Sequence, residues 1–501
     1  MAFESKKKGE LIMMMEMMMV AVAIIPQPQK MVELGAMVPA AAKIVYENDE
    51  ALGGEAYRLK VKDDAIIIGA STEAGRFYAL KTLEQLREGD KYHAVVIEDA
   101  PAFKWRGMLL DEGRHFHGKE TVKHVLDLMA DYKFNVFHWH LTEDQGWRID
   151  IPGMPELVKY GSYRSDSPAH GAELICDHKN FIFKSTAMAG EGYGPYFYTE
   201  KDLREIVAYA AERHITVVPE IDIPGHSIAL LAAYPQLCCF PKNIKVREAL
   251  SDWGITTDVL CVGNDETVEK LEKIFNFLCD VFPSEVIHLG GDECPRVNWK
   301  KCAKCQARVK AEGLKDESAL QAWITSKVVK ILEKRGRRAM GWDEILAGDI
   351  PKTAIGQSWR TREGSGAGTE LVSGATGAER GFDMVMSPHE YTYYNYDQGL
   401  ENDPFQRTDY RLPFEKAYKY DPLSGVSDAA KNHVLGGQCC LWGEYIWNRY
   451  DLDWRMWPRA LVMTEVLWRY PEMRNLEEFI NRASIHREKL LRRGVNCAPI
   501  R

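Results

Sequence analysis

Val286-Ile-His-Leu-Gly-Gly-Asp-Glu293 begins as a short apolar run and ends, through two glycines, in a pair of acids. A brief apolar run closed by glycine reads as a buried strand. Thr216-Val-Val-Pro-Glu220 has the same form and runs on into Ile221-Asp-Ile-Pro-Gly-His226. Working outward, comparable runs occur at Gly107–Leu110, Asn135–His140, Arg338–Trp342, Ala354–Ser358, Met384–Ser387 and Val434–Gln438. Helical spacing fills the intervals at Thr121–Tyr132, Glu200–Arg213, Thr267–Phe282 and Leu320–Lys334. Strands alternating with helices predict an α/β fold, and eight such units predict a (β/α)8 TIM barrel. The competing doubly wound sheet lacks support, because no glycine-rich dinucleotide turn follows the first strand.

The stretch before the barrel reads differently. Tyr57-Arg-Leu-Lys-Val61 alternates apolar and polar, Ala65–Ile68 is a short apolar run, and Ala74, Phe77, Leu80, Leu83 and Leu86 recur at helical spacing. With Ala94-Val-Val-Ile97 this predicts a small α+β domain over residues 24–100, abbreviated between Lys30 and Ala56. Residues 101–501 are then the barrel with its C-terminal helices. At the N-terminus, Lys6–Lys8 precede an apolar run from Leu11 to Val20, and Ala21-Val-Ala23 has the small-x-small form of a cleavage site. Residues 1–23 therefore read as an export signal, with a Met-rich leader as the alternative. The run is too short for a stable membrane span.

Sixty-four basic against 73 acidic residues leave a net charge of −9, with the charges interspersed. No basic stripe offers a footprint for nucleic acid, so a neutral or weakly charged substrate is expected. The eleven cysteines are an odd number. Cys239 and Cys261 suit a loop disulfide in an exported protein, and Cys302-Ala-Lys-Cys305 has zinc-like spacing with Cys294 nearby. One C-x2-C without a second pair is a weak metal signal. A local disulfide or free thiols is the expectation, with no metal and no cofactor.

Barrel enzymes place their chemistry at the carboxyl ends of the strands. Here those ends deliver Asp111 to Arg114, Glu143-Asp-Gln-Gly-Trp-Arg148, Asp222 to His226, and Asp292-Glu293. The later ends add Trp342-Asp-Glu344, Trp359-Arg360, Tyr391 to Asp397, and Trp442-Gly-Glu444. Trp, acids and Arg thus follow nearly every strand, which describes the wall of a polar, aromatic pocket. Paired carboxylates supply the acid and the charge stabilisation that glycosidic cleavage needs. Neighbours about 3.8 Å apart along the chain cannot easily flank a sugar ring, so the nucleophile lies elsewhere. By composition alone, Gly-Gly-Asp-Glu also fits a metal site or a surface turn. His226, His288, Asp292 and Glu293 keep a divalent-metal hydrolase open as a rival, although no H-x-x-E-H spacing occurs. His138, His140 and His288 are expected to be internally satisfied barrel histidines, and Arg148 and Glu220 to be ion-pair partners.

Taken together, Trp105-Arg-Gly-Met-Leu-Leu-Asp111, Arg114-His-Phe116, His138-Trp-His140 through Trp147-Arg148, Pro219-Glu-Ile-Asp-Ile-Pro-Gly-His226, His288-Leu-Gly-Gly-Asp-Glu293 and Trp442-Gly-Glu444 carry a resemblance. The chain resembles glycoside hydrolase family 20, the β-N-acetylhexosaminidases, from about Ile24 to its end, and looks similar to secreted bacterial members. The resemblance implies exo-acting, retaining cleavage of terminal N-acetylglucosamine or N-acetylgalactosamine, in which the sugar's own acetamide is the nucleophile. It implies that Asp292 orients the acetamide and Glu293 is the acid and base. Arg114, Asn395 and Glu444 are implied to hold sugar hydroxyls, Trp342, Trp359 and Trp442 to box the sugar, and Tyr393 to donate to the acetamide oxygen. His226 with Glu143 or Asp144 is the implied supporting pair. Asn395 departs from the family, which usually carries an Asp there.

Overall fold

A computed structural model describes residues 22–165, 192–245, 247–361, 370–400, 403, 410–470 and 475–500, which fall into two compact units. The first comprises residues up to Pro101 together with Met473–Lys489. Its strands are β1 (Lys30–Pro39), β2 (Lys43–Asn48), β3 (Tyr57–Lys62), β4 (Ala65–Ala70), β5 (Arg87–Glu88) and β6 (Lys91–Asp99). They form one sheet in the order β1-β6-β3-β4-β2, with β5 paired to β6. In β3, Tyr57, Leu59 and Val61 alternate into the core with exposed neighbours, the period of a half-buried strand. The helix Glu73–Gln85 covers the sheet; Thr72 starts it by accepting from the Gly75 amide. From the C-terminal helix Leu476–Arg492, Arg482 donates to the Ile24 carbonyl, and His486 Nε2 lies 3.0 Å from that of Ala23.

The expectation of an abbreviated domain between Lys30 and Ala56 is overturned, because β1 and β2 occupy that stretch. Both are edge strands. Of β1 only Val38 is fully buried, so no inward-outward alternation marks it in the sequence. Its pairing with β6 comes from backbone hydrogen bonds, which leave no trace in side-chain pattern.

The second unit is the closed parallel barrel. Its strands are β7 (Trp105–Asp111), β8 (Val136–His140), β11 (Thr216–Glu220), β12 (Val286–His288), β13 (Arg338–Trp342), β14 (Ile355–Ser358), β15 (Asp383–Met386) and β16 (Val434–Leu441). A hairpin of β9 (Thr142–Glu143) and β10 (Gly146–Trp147) follows β8. All eight expected strands are present. β16 runs on past Gln438, because Cys439, Cys440 and Leu441 continue its register with Met108, Leu109 and Leu110 of β7. The four expected helices appear as Lys119–Asp131, Glu200–Ala211, Asp265–Val281 and Ala319–Lys334. Asp265–Val281 shows why: Leu271, Ile274, Phe275 and Leu278 make one buried face, and Asn264 caps it through the Glu266 amide. Every residue of β7 is buried, as expected of a strand covered on both faces.

Two apolar layers fill the barrel and set the height of the site. Trp105, Val136, Val218, Val286, Met340, Ile355 and Val385 form one cluster. Leu109, Trp342, Tyr393, Cys440 and Trp442 form another, with Trp359 and Tyr396 against it. Among the described residues, no helix is long and apolar enough to cross a membrane.

Candidate active site

The site grows out of the end of β12. Gly290 and Gly291 follow with φ of 71° and 104°, a left-handed conformation that glycine adopts without steric cost. Gly290 needs this for a second reason. A Cβ there would fall 1.8 Å from Asp222 Oδ1, so only glycine lets the turn pass this close to the end of β11. The Gly291 amide then donates to Asp222 Oδ1 at 3.0 Å. This turn carries Asp292 and Glu293 into the barrel mouth, and Glu293 itself sits at φ 44°. A non-glycine residue held there costs about 1–3 kcal/mol, a strain that clusters at functional sites.

Both carboxylates meet one imidazole. His226 Nε2 lies 3.8 Å from Asp292 Oδ2 and 3.5 Å from Glu293 Oε2. On the other side of the ring, Nδ1 lies 2.6 Å from Glu143 Oε1 and 3.6 Å from Asp144 Oδ2. Of the two acids left open by the sequence, Glu143 is therefore the direct partner. Asp144 instead accepts from the Ile228 amide at 2.9 Å. Burial disfavours a charged ring, yet the Glu143 carboxylate, with Asp144 and Glu293 close by, holds His226 well above the usual histidine value. These neighbours favour the protonated ring. Burial also opposes ionisation of Glu143, but Arg114 and His226 hold its carboxyl well below the ordinary range. For Asp292, burial pushes the carboxyl up to about 6, with His226 acting against that and Glu293 adding to it.

Arg114 is set by two acids. Its guanidinium lies 3.1 Å from Asp111 Oδ2 and 3.2 Å from Glu143 Oε2, over the Trp442 ring at 5.0 Å. Glu143 thus joins Arg114 to His226. Across the mouth, Trp342 and Trp442 have ring centroids 5.5 Å apart. Tyr393 lies 6.0 Å from Trp442 and stacks with Trp359 at 6.3 Å and 13°. The Trp342 indole donates to Glu220 Oε1 at 2.9 Å, and the Trp359 indole to Glu344 Oε2 at 3.0 Å. Asp343 positions Trp359 as well, by accepting from its amide at 2.9 Å. Asn395 Oδ1, Glu444 Oε2 and Asp292 Oδ1 are buried acceptors with no hydrogen-bond partner among the described residues.

Beneath these rings sits a network that sequence reasoning named only in part. Glu220 Oε2 lies 2.9 Å from His138 Nε2 and 2.5 Å from His140 Nδ1, and Oε1 lies 3.0 Å from His288 Nδ1. Only His140 is satisfied at both nitrogens, by Glu220 and Glu143; His288 Nε2 is buried without a hydrogen-bond partner among the described residues, and Glu220 finds its ion-pair partners among the histidines. The ion-pair expectation for Arg148 is corrected: its guanidinium donates to the carbonyls of Glu112, Gly113 and Ser162. Asp222, Asp343 and Glu344 were missed as positioning groups. Each follows a strand end in the sequence, but its contact is made across to another strand. The loop disulfide expected between Cys239 and Cys261 is absent; the ten described cysteines are all unbridged.

Known proteins share these two domains. Residues 103–471 match the family model "Glycosyl hydrolase family 20, catalytic domain", and residues 32–100 match "Glycosyl hydrolase family 20, domain 2". A beta-hexosaminidase of Akkermansia muciniphila is 33% identical over 94% of this chain and 91% of its own length. One from Porphyromonas gingivalis is 36% identical over 88% of this chain, which spans about half (54%) of that longer relative. Among solved structures, the exo β-N-acetylglucosaminidase of Vibrio harveyi in complex with N-acetylglucosamine superposes with a TM-score of 0.82 at 29% identity, covering 96% of this chain and 78% of that one. With the catalytic-domain match running across all eight barrel strands and the second match across the small sheet, the chain belongs to glycosyl hydrolase family 20.

Proposed function

We propose that the protein is an exo-acting, retaining β-N-acetylhexosaminidase that removes terminal β-linked N-acetylglucosamine or N-acetylgalactosamine by substrate-assisted catalysis. One observation carries the reading. Asp292 and Glu293 are neighbours on one turn, about 3.8 Å apart at Cα, and both face the same nitrogen of His226, which supports a place on one side of the sugar. Two carboxylates that flank a sugar ring, as in the ordinary retaining mechanism, stand about 5–5.5 Å apart on opposite faces. A pair on one side leaves the nucleophile to the substrate's acetamide.

In the first step the acetamide oxygen attacks the anomeric carbon as the glycosidic bond breaks. Glu293 gives its proton to the departing oxygen. The resulting oxazolinium carries positive charge on its N–H, and ionised Asp292 faces that charge. In the second step Glu293 takes a proton from water, which attacks the anomeric carbon from the face the leaving group vacated. The ring reopens, and two inversions give retention. His226, with Glu143 and Asp144 behind it, holds both carboxylates in place. Arg114, Asn395 and Glu444 bind the sugar hydroxyls. The buried, unpaired acceptors of Asn395 and Glu444 support this, since a hydroxyl donor there would satisfy both. Asn395 accepts through its amide oxygen without the charge of the usual Asp. Trp342, Trp359 and Trp442 face the sugar and its acetamide, and Tyr393 donates to the acetamide oxygen. Export to the periplasm or beyond, with the leader removed, is part of the proposal; N-terminal sequencing of protein recovered outside the cytoplasm tests it.

Rates on a chromogenic β-N-acetylglucosaminide and on the matching 2-hydroxy glucoside test the reaction. The first is expected to turn over and the second to be cleaved at least ~1,000-fold more slowly, the scale on which a positioned intramolecular nucleophile acts. Equal rates would end the proposal. A thiazoline mimic of the cyclic intermediate should likewise bind far more tightly than free N-acetylglucosamine.

A further inference from the structure

Four cysteines outside the site converge on one point. Cys239, Cys261, Cys302 and Cys305 each bring a sulfur within 4.8 Å of the other three. Three of the separations are 3.7 Å: Cys239 to Cys305, Cys261 to Cys302, and Cys261 to Cys305. Cys261, Cys302 and Cys305 are buried and Cys239 partly so.

The spacing discriminates between the ways four thiols can be used. A disulfide selects one partner, with sulfurs about 2.05 Å apart. Here Cys261 is equidistant from Cys302 and Cys305, and Cys305 is equidistant from Cys239 and Cys261. Four thiolates around Zn2+ at Zn–S of about 2.3 Å form a tetrahedron whose edge is about 3.8 Å. The observed separations match that edge.

The surroundings are built to hold these segments together. The bridge between Cys238 and Leu260 sets Cys239 and Cys261 side by side, and the Cys261 amide donates to the Leu237 carbonyl at 2.7 Å. Cys302 stands between the helices Val297–Lys301 and Ala303–Ala311, the second of which carries Cys305. Gly263, two residues after Cys261, passes close against the backbone of Lys304 and Cys305. Glycine is required there, since a Cβ on Gly263 would fall 2.2 Å from the Lys304 carbonyl carbon. The Trp299 indole donates to the Leu260 carbonyl at 2.9 Å, and the Asn298 amide to that of Thr257 at 2.8 Å.

We infer that Cys239, Cys261, Cys302 and Cys305 form a structural tetrathiolate zinc site that ties the loop after β11 to the segment following Glu293. Only Cys302 and Cys305 make a C-x2-C pair; Cys239 and Cys261 enter singly, which is why the spacing alone argued for no metal. Cys302 follows Glu293 by nine residues, so the ion fixes the chain just beyond the acid pair. With four protein ligands the coordination shell is closed. The ion holds structure and takes no part in the reaction.

Metal analysis of the full-length protein, purified without chelator and dialysed against metal-free buffer, tests the site. About one zinc per chain is expected, released when a mercurial titrates the thiols. Replacement by cobalt should give the visible bands of a tetrahedral tetrathiolate centre. A Cys302→Ser/Cys305→Ser variant should lose at least about tenfold of the zinc; should it not fold, the metal content of the unaltered protein still decides. Zinc that survives the double substitution would overturn the inference. So would a metal-free protein, whether non-reducing peptide mapping finds these cysteines in disulfides or as free thiols. Turnover of the chromogenic substrate is a separate readout, so active but zinc-free protein sinks this inference and leaves the proposed reaction standing.

Discussion

Asp292 must be ionised when the oxazolinium forms, and burial pushes its carboxyl up to about 6. Protonation removes the charge that faces the intermediate, so kcat/KM is expected to fall below about pH 6, by one decade per pH unit at the limit, while loss of the Glu293 proton sets a separate basic limb. Asp292→Asn should cost about 100- to 1,000-fold in kcat, the scale of losing one electrostatic stabiliser, and should abolish that acidic limb. If the limb stayed in place in the variant, another group would own it. Glu293→Gln keeps the shape of the side chain and loses the proton. Turnover should drop by a similar or greater factor while calorimetric affinity for N-acetylglucosamine changes little; near-normal turnover would remove Glu293 from its role. At this scale the acid pair was legible as a motif. The choice between Glu143 and Asp144 was not, because adjacent acids are alike in sequence. Only the hairpin β9–β10, with the Ile228 amide claiming Asp144, separates them.

Turns and strand ends decide whether those residues meet. Gly290→Ala brings a left-handed backbone, worth about 1–3 kcal/mol, together with a Cβ driven into Asp222. Gly336 makes the control: its φ is 66°, but a Cβ there meets nothing within 4 Å. Melting temperature should fall clearly further for Gly290→Ala than for Gly336→Ala, and only the first should depress kcat; equal behaviour would mean that the turn after β12 has room to spare. Glu220 belongs to the same scale. It serves His138, His140, His288 and the Trp342 indole at once, and removing one partner from a buried charged network costs about 3–5 kcal/mol. Glu220→Ala is thus expected to unfold at markedly lower temperature and to loosen Trp342, read as a changed tryptophan emission. The barrel strands were legible because burial on both faces makes them continuous apolar runs. β1, exposed along nearly its whole length, had no such signature.

Across the molecule, what was legible followed from side-chain chemistry, and what was not followed from contacts between segments far apart in the chain. The thiolate cluster gathers residues as distant as Cys239 and Cys305, and Asp222 reaches the Gly291 amide from the neighbouring strand. The same long-range view answers the metal-hydrolase rival for the active site. Asp222, His226 and Asp292 lie close enough together to tempt that reading. A metal ligand, however, must offer a lone pair, and the carboxylates around His226, Glu143 first, favour its protonated form. In the protonated ring Nε2 has no lone pair to offer an ion. Brief exposure to EDTA is therefore expected to leave the initial rate on the chromogenic substrate unchanged. Prolonged chelation at elevated temperature should lower the melting temperature first, as the thiolate site empties, and activity only in step with unfolding. A rate that collapsed at once, with the melting temperature intact and recovery on adding a divalent ion, would return the metal to the reaction centre.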